Sequence, residues 1–170
     1  MAAVEGANVW KNADGLRVRF GTEQSRDAKE GSPAQKGPFT TMTFQLDSAN
    51  LPLFGDTADR YLNRVPTCAL PNGALIRSAT IIVTTAFTGT GATLTLGLAE
   101  QDGTIIDADG IDAAIALTAL DAVGEEVACD GALIDTKLTA DGYLIVDVGT
   151  ASFTAGKATL VIELLIEDAL

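Results

Sequence analysis

Three carboxylates, Asp107, Asp109 and Asp112, fall within six residues of the stretch TIIDADGIDAAIALTAL, residues 104–120, just before an apolar run. Clustered acids can hold a hard cation, work as a catalytic acid pair, or start a helix. An EF-hand loop needs glycine at position six and a bidentate glutamate at twelve. Counted from Asp107, the glycine falls at position four and the twelfth residue is Thr118, so the EF-hand spacing fails. An irregular calcium site built from Asp102, Asp107 and Asp109 stays open, because oxygen donors need no fixed motif. A glycosidase also needs two carboxyls, but the chain has one Trp, two Tyr and six Phe to form sugar platforms. The helix start accounts for more of the residues. Asp109 stands at an N-cap position, and Asp112 places negative charge near the positive end of the helix dipole. Ile111, Ala114, Ile115 and Thr118 then fall on one stripe, and Gly124 ends the segment. The expectation is one short helix of about ten residues inserted between strands.

Other catalytic chemistry finds few residues. Histidine is absent, which removes the commonest general base and the commonest zinc ligand. No GxSxG, HExxH or GxxxxGK[ST] motif occurs. Cys68 and Cys129 are far apart and belong to no CxxC pair, which predicts two inert thiols. The expectation is a protein that is not an enzyme and takes no cofactor.

The elements around the acids are strands. In GLRVRFG, Leu16, Val18 and Phe20 alternate with Arg17 and Arg19, and in TMTFQLD, Met42, Phe44 and Leu46 share one side. Between these runs lie eighteen residues, GTEQSRDAKEGSPAQKGP, without apolar periodicity. Residues 1–50 therefore read as an extended arm with the first strands. Residues 51–73, with prolines at 52, 66 and 71, read as a connector with one or two helical turns capped by Asp56. From residue 74 to 170 the pattern is that of a β-domain. ALIRSATIIVTTAF and ATLTLGLAE, separated by TGTG, predict an antiparallel hairpin with Leu94, Leu96 and Leu98 in one apolar row. In the last run, Leu160, Ile162, Leu164 and Ile166 face one side, as in a core strand. Short strands broken by Gly and Asp turns predict a mainly β protein, an antiparallel β-sandwich of jelly-roll-like type.

A chain of 170 residues that is 47% hydrophobic can bury a core without staples. Its longest apolar runs are too short to span a bilayer, and its start carries no signal-peptide pattern, so synthesis in the cytoplasm is expected. The net charge of −12 is uneven. Residues 1–77 hold nine Lys and Arg against eight Asp and Glu, a net +1, whereas residues 78–170 hold two against fifteen, a net −13. Such an acidic body repels nucleic acid and anionic lipid, so neither is an expected partner.

Read in order, VWKNADGLRVRFGTEQSRDAKEG, LPNGALIRSATIIVTTAFTGTGATLTLGLAEQDGTIIDADGIDAA, VGEEVACDGALI and GYLIVDVGTASFTAGKATLVIELLI resemble small virion structural proteins of tailed bacteriophages, especially short-tailed aquatic phages. The resemblance covers most of the chain but includes no catalytic signature. It implies a capsid decoration or cement protein that binds the outer surface of the major capsid protein lattice as a homotrimer and clamps neighbouring capsomers. On that reading, Arg17, Arg19, Arg26, Lys29 and Lys36 pair with acids of the capsid, and Trp10, Phe20 and Phe39 are apolar anchors. Another virion part, such as a fibre base or a receptor-binding β-domain, is the alternative, and a carbohydrate-binding module is a third.

Overall fold

The computed structural model describes residues 9–11, 17–19, 39–55, 62 and 68–166. The chain divides into two compact units, Met1–Gly37 and Pro38–Leu170. In the first, β1 (Val9–Lys11) and β2 (Arg17–Arg19) pair antiparallel, with Trp10 opposite Val18 and Lys11 opposite Arg17.

The second unit contains β3 (Phe39–Asp47), β4 (Ala74–Gly89), β5 (Thr93–Ala99), β6 (Ile105–Ala116), β7 (Glu126–Ala128), β8 (Tyr143–Gly149) and β9 (Phe153–Ile166). These form two antiparallel sheets, ordered β3-β9-β4-β7 and β6-β5-β8. Their inner faces share one core. Leu46, Ile76, Ile81, Leu160, Ile162 and Leu164 enter it from the four-stranded sheet, and Leu94, Leu96, Leu98, Ile111, Leu144 and Val146 from the other. Period-two alternation gives each strand one apolar face, and stacking two such faces removes both from water. The fold is thus the expected antiparallel sandwich, with the predicted rows at Leu94–Leu98 and Leu160–Leu164 buried within it. Phe87 and Phe153 add an edge-to-face ring pair, with centroids 5.2 Å apart.

Two local expectations are corrected. β4 and β5 do not form a hairpin, because β4 pairs with β9 and β7 while β5 pairs with β6 and β8. The short link between them, with Gly91 at φ +67°, carries the chain from one sheet to the other. Alternation and a Gly-rich link suit such an arch as well as they suit a hairpin.

The acidic stretch is also not a helix. Asp107, Asp109 and Asp112 all lie in β6, and the following helical segment is a single 3₁₀ turn, Leu117–Ala119. That turn starts after Ala116 and has no side-chain cap, so Asp109 and Asp112 are not N-cap residues. The misleading signal was the spacing of Ile111 and Ile115. Four residues apart satisfies the helical period, but a strand interrupted by an extra residue brings both isoleucines into the core as well. β6 is irregular, with extra residues relative to β5 between the partners of Leu94 and Leu96 and again between those of Leu96 and Leu98. Ala114 takes φ +51°, and its N–H donates to Thr95 Oγ1 at 3.1 Å. Over Gly97, the irregular part of β6 comes so close that an added Cβ would collide with the Ala108 carbonyl.

Residues 129–138 bind the two sheets along one side. The N–H groups of Cys129 and Asp135 donate to the Ala79 and Ile76 carbonyls of β4, at 2.9 and 2.6 Å. Those of Gly131 and Leu133 donate to the Ile111 and Gly110 carbonyls of β6, at 2.9 and 2.8 Å. This strap satisfies backbone groups that an open sandwich side would otherwise leave to water.

Candidate interaction surface

The register of β3, β9 and β4 defines the outer face of the four-stranded sheet row by row. Phe39, Leu165 and Leu75 form an apolar row at one end, with Phe39 65% exposed. Next come Thr41, Glu163 and Ser78, where the serine hydroxyl donates to Glu163 Oε2 at 3.0 Å. Thr43, Val161 and Thr80 follow, then Gln45, Thr159 and Ile82. At the far end Lys157 Nζ stands 2.8 Å from Asp47 Oδ2. The lysine, with the Ala49 N–H, holds the Asp47 carboxyl below its ordinary range. This face is rich in hydroxyls and half-buried aliphatics, and its acids Asp47 and Glu163 each have a side-chain partner.

The three-stranded sheet is different. Asp107, Asp109, Asp112 and Asp147 lie on its strands, with no Lys or Arg among them. Asp112 is buried, with its carboxylate accepting from the Cys129 thiol and the Ala113 N–H. Burial, and then the charge of Asp130, raises the Asp112 carboxyl above its ordinary range. Burial next to Asp112 pushes the Cys129 thiol up to about 12, so the thiol stays protonated and donates. Since β6 belongs to one sheet and Cys129 follows β7 of the other, this bond also crosses the sandwich. Nothing in the spacing of Asp112 and Cys129 announced the pair, because it depends on which strands become edges. Both cysteines are free thiols.

The described sequence-predicted site residues fall in both units, three of them on the paired strands β1 and β2. Trp10 lies on β1, Arg17 and Arg19 on β2, and Phe39 opens β3. Phe20, Arg26, Lys29 and Lys36 lie outside the described residues, as does the turn expected from Asp56. The calcium set is not brought together, since no three metal-ligating acids or cysteines converge among the described residues. Asp102 and Asp107 instead hold their own turns, accepting from the N–H groups of Thr104 at 2.9 Å and Asp109 at 3.3 Å. No helix among the described residues is long and apolar enough to cross a membrane.

No protein-family model and no curated protein sequence matches the chain. Solved structures do share its fold. A chain of the cyanophage Pam1 capsid asymmetric unit matches with a TM-score of 0.54 and 16% identity, covering 92% of this chain and 98% of that one. A chain of the Ralstonia phage GP4 capsid matches with a TM-score of 0.54 and 20% identity over 81% and 90% of the two chains. A chain of the acid-stable capsid of Helicobacter pylori bacteriophage KHP30 matches with a TM-score of 0.52 and 13% identity over 76% and 89%.

Proposed function

We propose that this chain is a non-enzymatic structural component of a bacteriophage virion, and specifically a decoration protein that binds the outside of the head as a homotrimer and cements the major capsid protein lattice. The observation that supports this reading most is the fold shared with phage capsid chains over nearly their whole length, 98% in the cyanophage case. Charge supports it too. Residues 1–77 carry nine Lys and Arg against eight Asp and Glu, whereas the rest of the chain carries two against fifteen, so the cations are concentrated toward the N-terminal part. In this reading, Arg17, Arg19, Arg26, Lys29 and Lys36 bind carboxylates of the lattice, while Trp10, Phe20 and Phe39 fill apolar sites. Three such arms acting together raise avidity beyond that of one. The acidic sheet faces outward and keeps particles apart.

The test is co-sedimentation of the purified full-length protein with empty heads of its own phage, over a range of salt. Binding that saturates and weakens with salt, and that R17E/R19E reduces about ten-fold or more, is expected. Failure of the wild-type protein to sediment with heads, or binding to glycans instead, would remove the cement reading.

A further inference from the structure

A two-sheet sandwich has four edge strands, and an uncovered edge invites pairing with another chain. Three of the four are managed within the described residues. β7 is only three residues long. β6 is covered by the strap, through the Gly131 and Leu133 N–H groups. β8 is met at its start, and further along the Val148 N–H is taken by Asp147 Oδ1 at 3.0 Å. Gly142 and Leu70 exchange two bonds of 2.9 and 2.7 Å, and the Leu62 N–H donates to the Leu144 carbonyl at 3.1 Å.

β3 is different. It is nine residues long, straight in register along β9, and carries no charge or proline from Phe39 to Leu46. The Ser48 N–H donates to the Gly156 carbonyl at 3.0 Å, directly continuing this register. In an antiparallel ladder the bonded positions recur every second residue, so even-numbered residues of β3 bond β9. The N–H and C=O groups of Thr41, Thr43 and Gln45 therefore point away from the sheet, and they have no backbone partner among the described residues. The side chains of the same three residues are exposed. The edge has none of the features by which proteins discourage pairing: inward charge, lysine, proline or a bulge.

We infer that β3 receives an extended strand of the head's shell protein as a fifth strand of its sheet, an inference that rests on the virion reading above. The incoming strand bonds the backbone of Thr41, Thr43 and Gln45. On its core side it carries apolar residues that extend the row of Met42, Phe44 and Leu46, of which Met42 is only half-buried. Opposite Thr41 and Thr43 it carries small or hydroxyl residues. The occupant is a partner rather than a second copy, because free copies of net charge −12 repel on approach, and the homotrimer proposed above forms on the lattice, where the basic residues of each copy are bound. All five of the proposed lattice-binding cations lie in residues 1–37, which precede this strand directly in the sequence, so one partner chain engaged by both is the simplest occupant.

The test compares amide hydrogen exchange of the full-length protein, free and bound to empty heads. In the free protein, Thr41, Thr43 and Gln45 should exchange fast and Met42 and Phe44 slowly; on heads all five should be slow. T43P removes one outward donor without touching the β9 ladder, and T43K places a charge on the edge. Either should leave the melting temperature of the free protein near that of the wild type and weaken binding to heads about ten-fold or more. If T43P does not fold, T43K carries the same comparison. Odd-numbered amides already slow in the free protein, odd-numbered amides still fast on heads, or undiminished binding by T43K would each overturn strand addition while leaving the cement reading standing. A T43K-sensitive dimer in solution would assign the edge to a second copy instead. Wild-type protein that does not bind heads would overturn the virion reading itself, and strand addition with it.

Discussion

The two sheets of the sandwich bury their inner faces alike and differ in what they carry outward. In the four-stranded sheet, Glu126 of β7 leaves a net −1, while β3, β4 and β9 hold Asp47 and Glu163 against Arg77 and Lys157, which cancel. Each of the four has a partner: Asp47 with Lys157, Glu163 with the Ser78 hydroxyl, and Arg77 with Asp135 of the strap at 3.1 Å. β5, β6 and β8 hold four aspartates and no cation. Core formation does not require this division, since both sheets present apolar residues to the shared core. It concerns what meets the outer faces. A nearly neutral, hydroxyl-rich face with a bare edge suits a close neighbour, and an acidic one suits water.

The shared core is where both sheets are most vulnerable. Phe87 is 1% exposed and packs edge-on to Phe153, so Phe87→Ala should cost about 4 kcal/mol, measured by urea unfolding of the free protein. The cost should appear as a lower midpoint with unchanged slope, because both sheets unfold together. A two-step curve would show that the sheets are separable. Gly97→Ala should act on the acidic sheet alone. The new methyl meets the Ala108 carbonyl, which is backbone and cannot rotate aside, and the expected loss is about 2–3 kcal/mol. Hydrogen exchange should then quicken most in β5 and β6 and less in β3 and β9.

These two sites also show what the sequence could and could not convey. Phe87 lies in an alternating β-branched run, and such runs marked the strands and their inward rows correctly. Leu160, Ile162 and Leu164 were readable because period two has one solution once a face is apolar. Pairing was less readable. Whether β4 turns back beside β5 or crosses to the other sheet depends on long-range partners that a local link does not encode. The acidic stretch failed for another reason: bulges break the alternation, and Asp109 beside Gly110 imitates a cap. Gly110 was itself a contrary signal, since glycine in the first turn weakens a helix, and here an added Cβ would strike Leu133. The bare edge of β3 was partly legible in FTTMTFQL, which lacks charge and proline, but its significance needed the other three edges.

Asp112 sharpens the contrast between the sheets, because it is an acid that the fold buries. Its carboxyl is raised in the folded state, so between the ordinary value of 3.8 and the raised value the folded protein binds more protons than the unfolded one. Stability from this group is therefore full below 3.8 and is lost as pH rises through the raised value. Asp112→Asn removes the charge while keeping the shape. The variant should melt above the wild type at neutral pH, and the gain should shrink as pH falls toward 3.8. Many other carboxylates titrate over this range, so the quantity to measure is the difference between variant and wild type at each pH. A difference that does not change with pH would mean that Asp112 gains nothing from protonation in the folded protein.

Asp47 should show the opposite sign with a smaller amplitude. Its carboxyl is held below 3.8 by Lys157 and the Ala49 N–H, so its contribution is present above 3.8 and fades as pH falls through the lowered value. The pair lies on the surface with the lysine side chain 60% exposed, where water and salt screen it. Asp47→Asn should therefore lower the melting temperature only slightly at neutral pH and low salt, with no effect at about 0.5 M salt, where screening is nearly complete within a few ångströms. If the loss persisted in high salt, the turn bond from Asp47 to the Ala49 N–H at 3.0 Å would be the stabilising part rather than the ion pair. Lys157→Met separates the two: it removes the charge pair, keeps the turn, and on the ion-pair account reproduces the low-salt loss of Asp47→Asn.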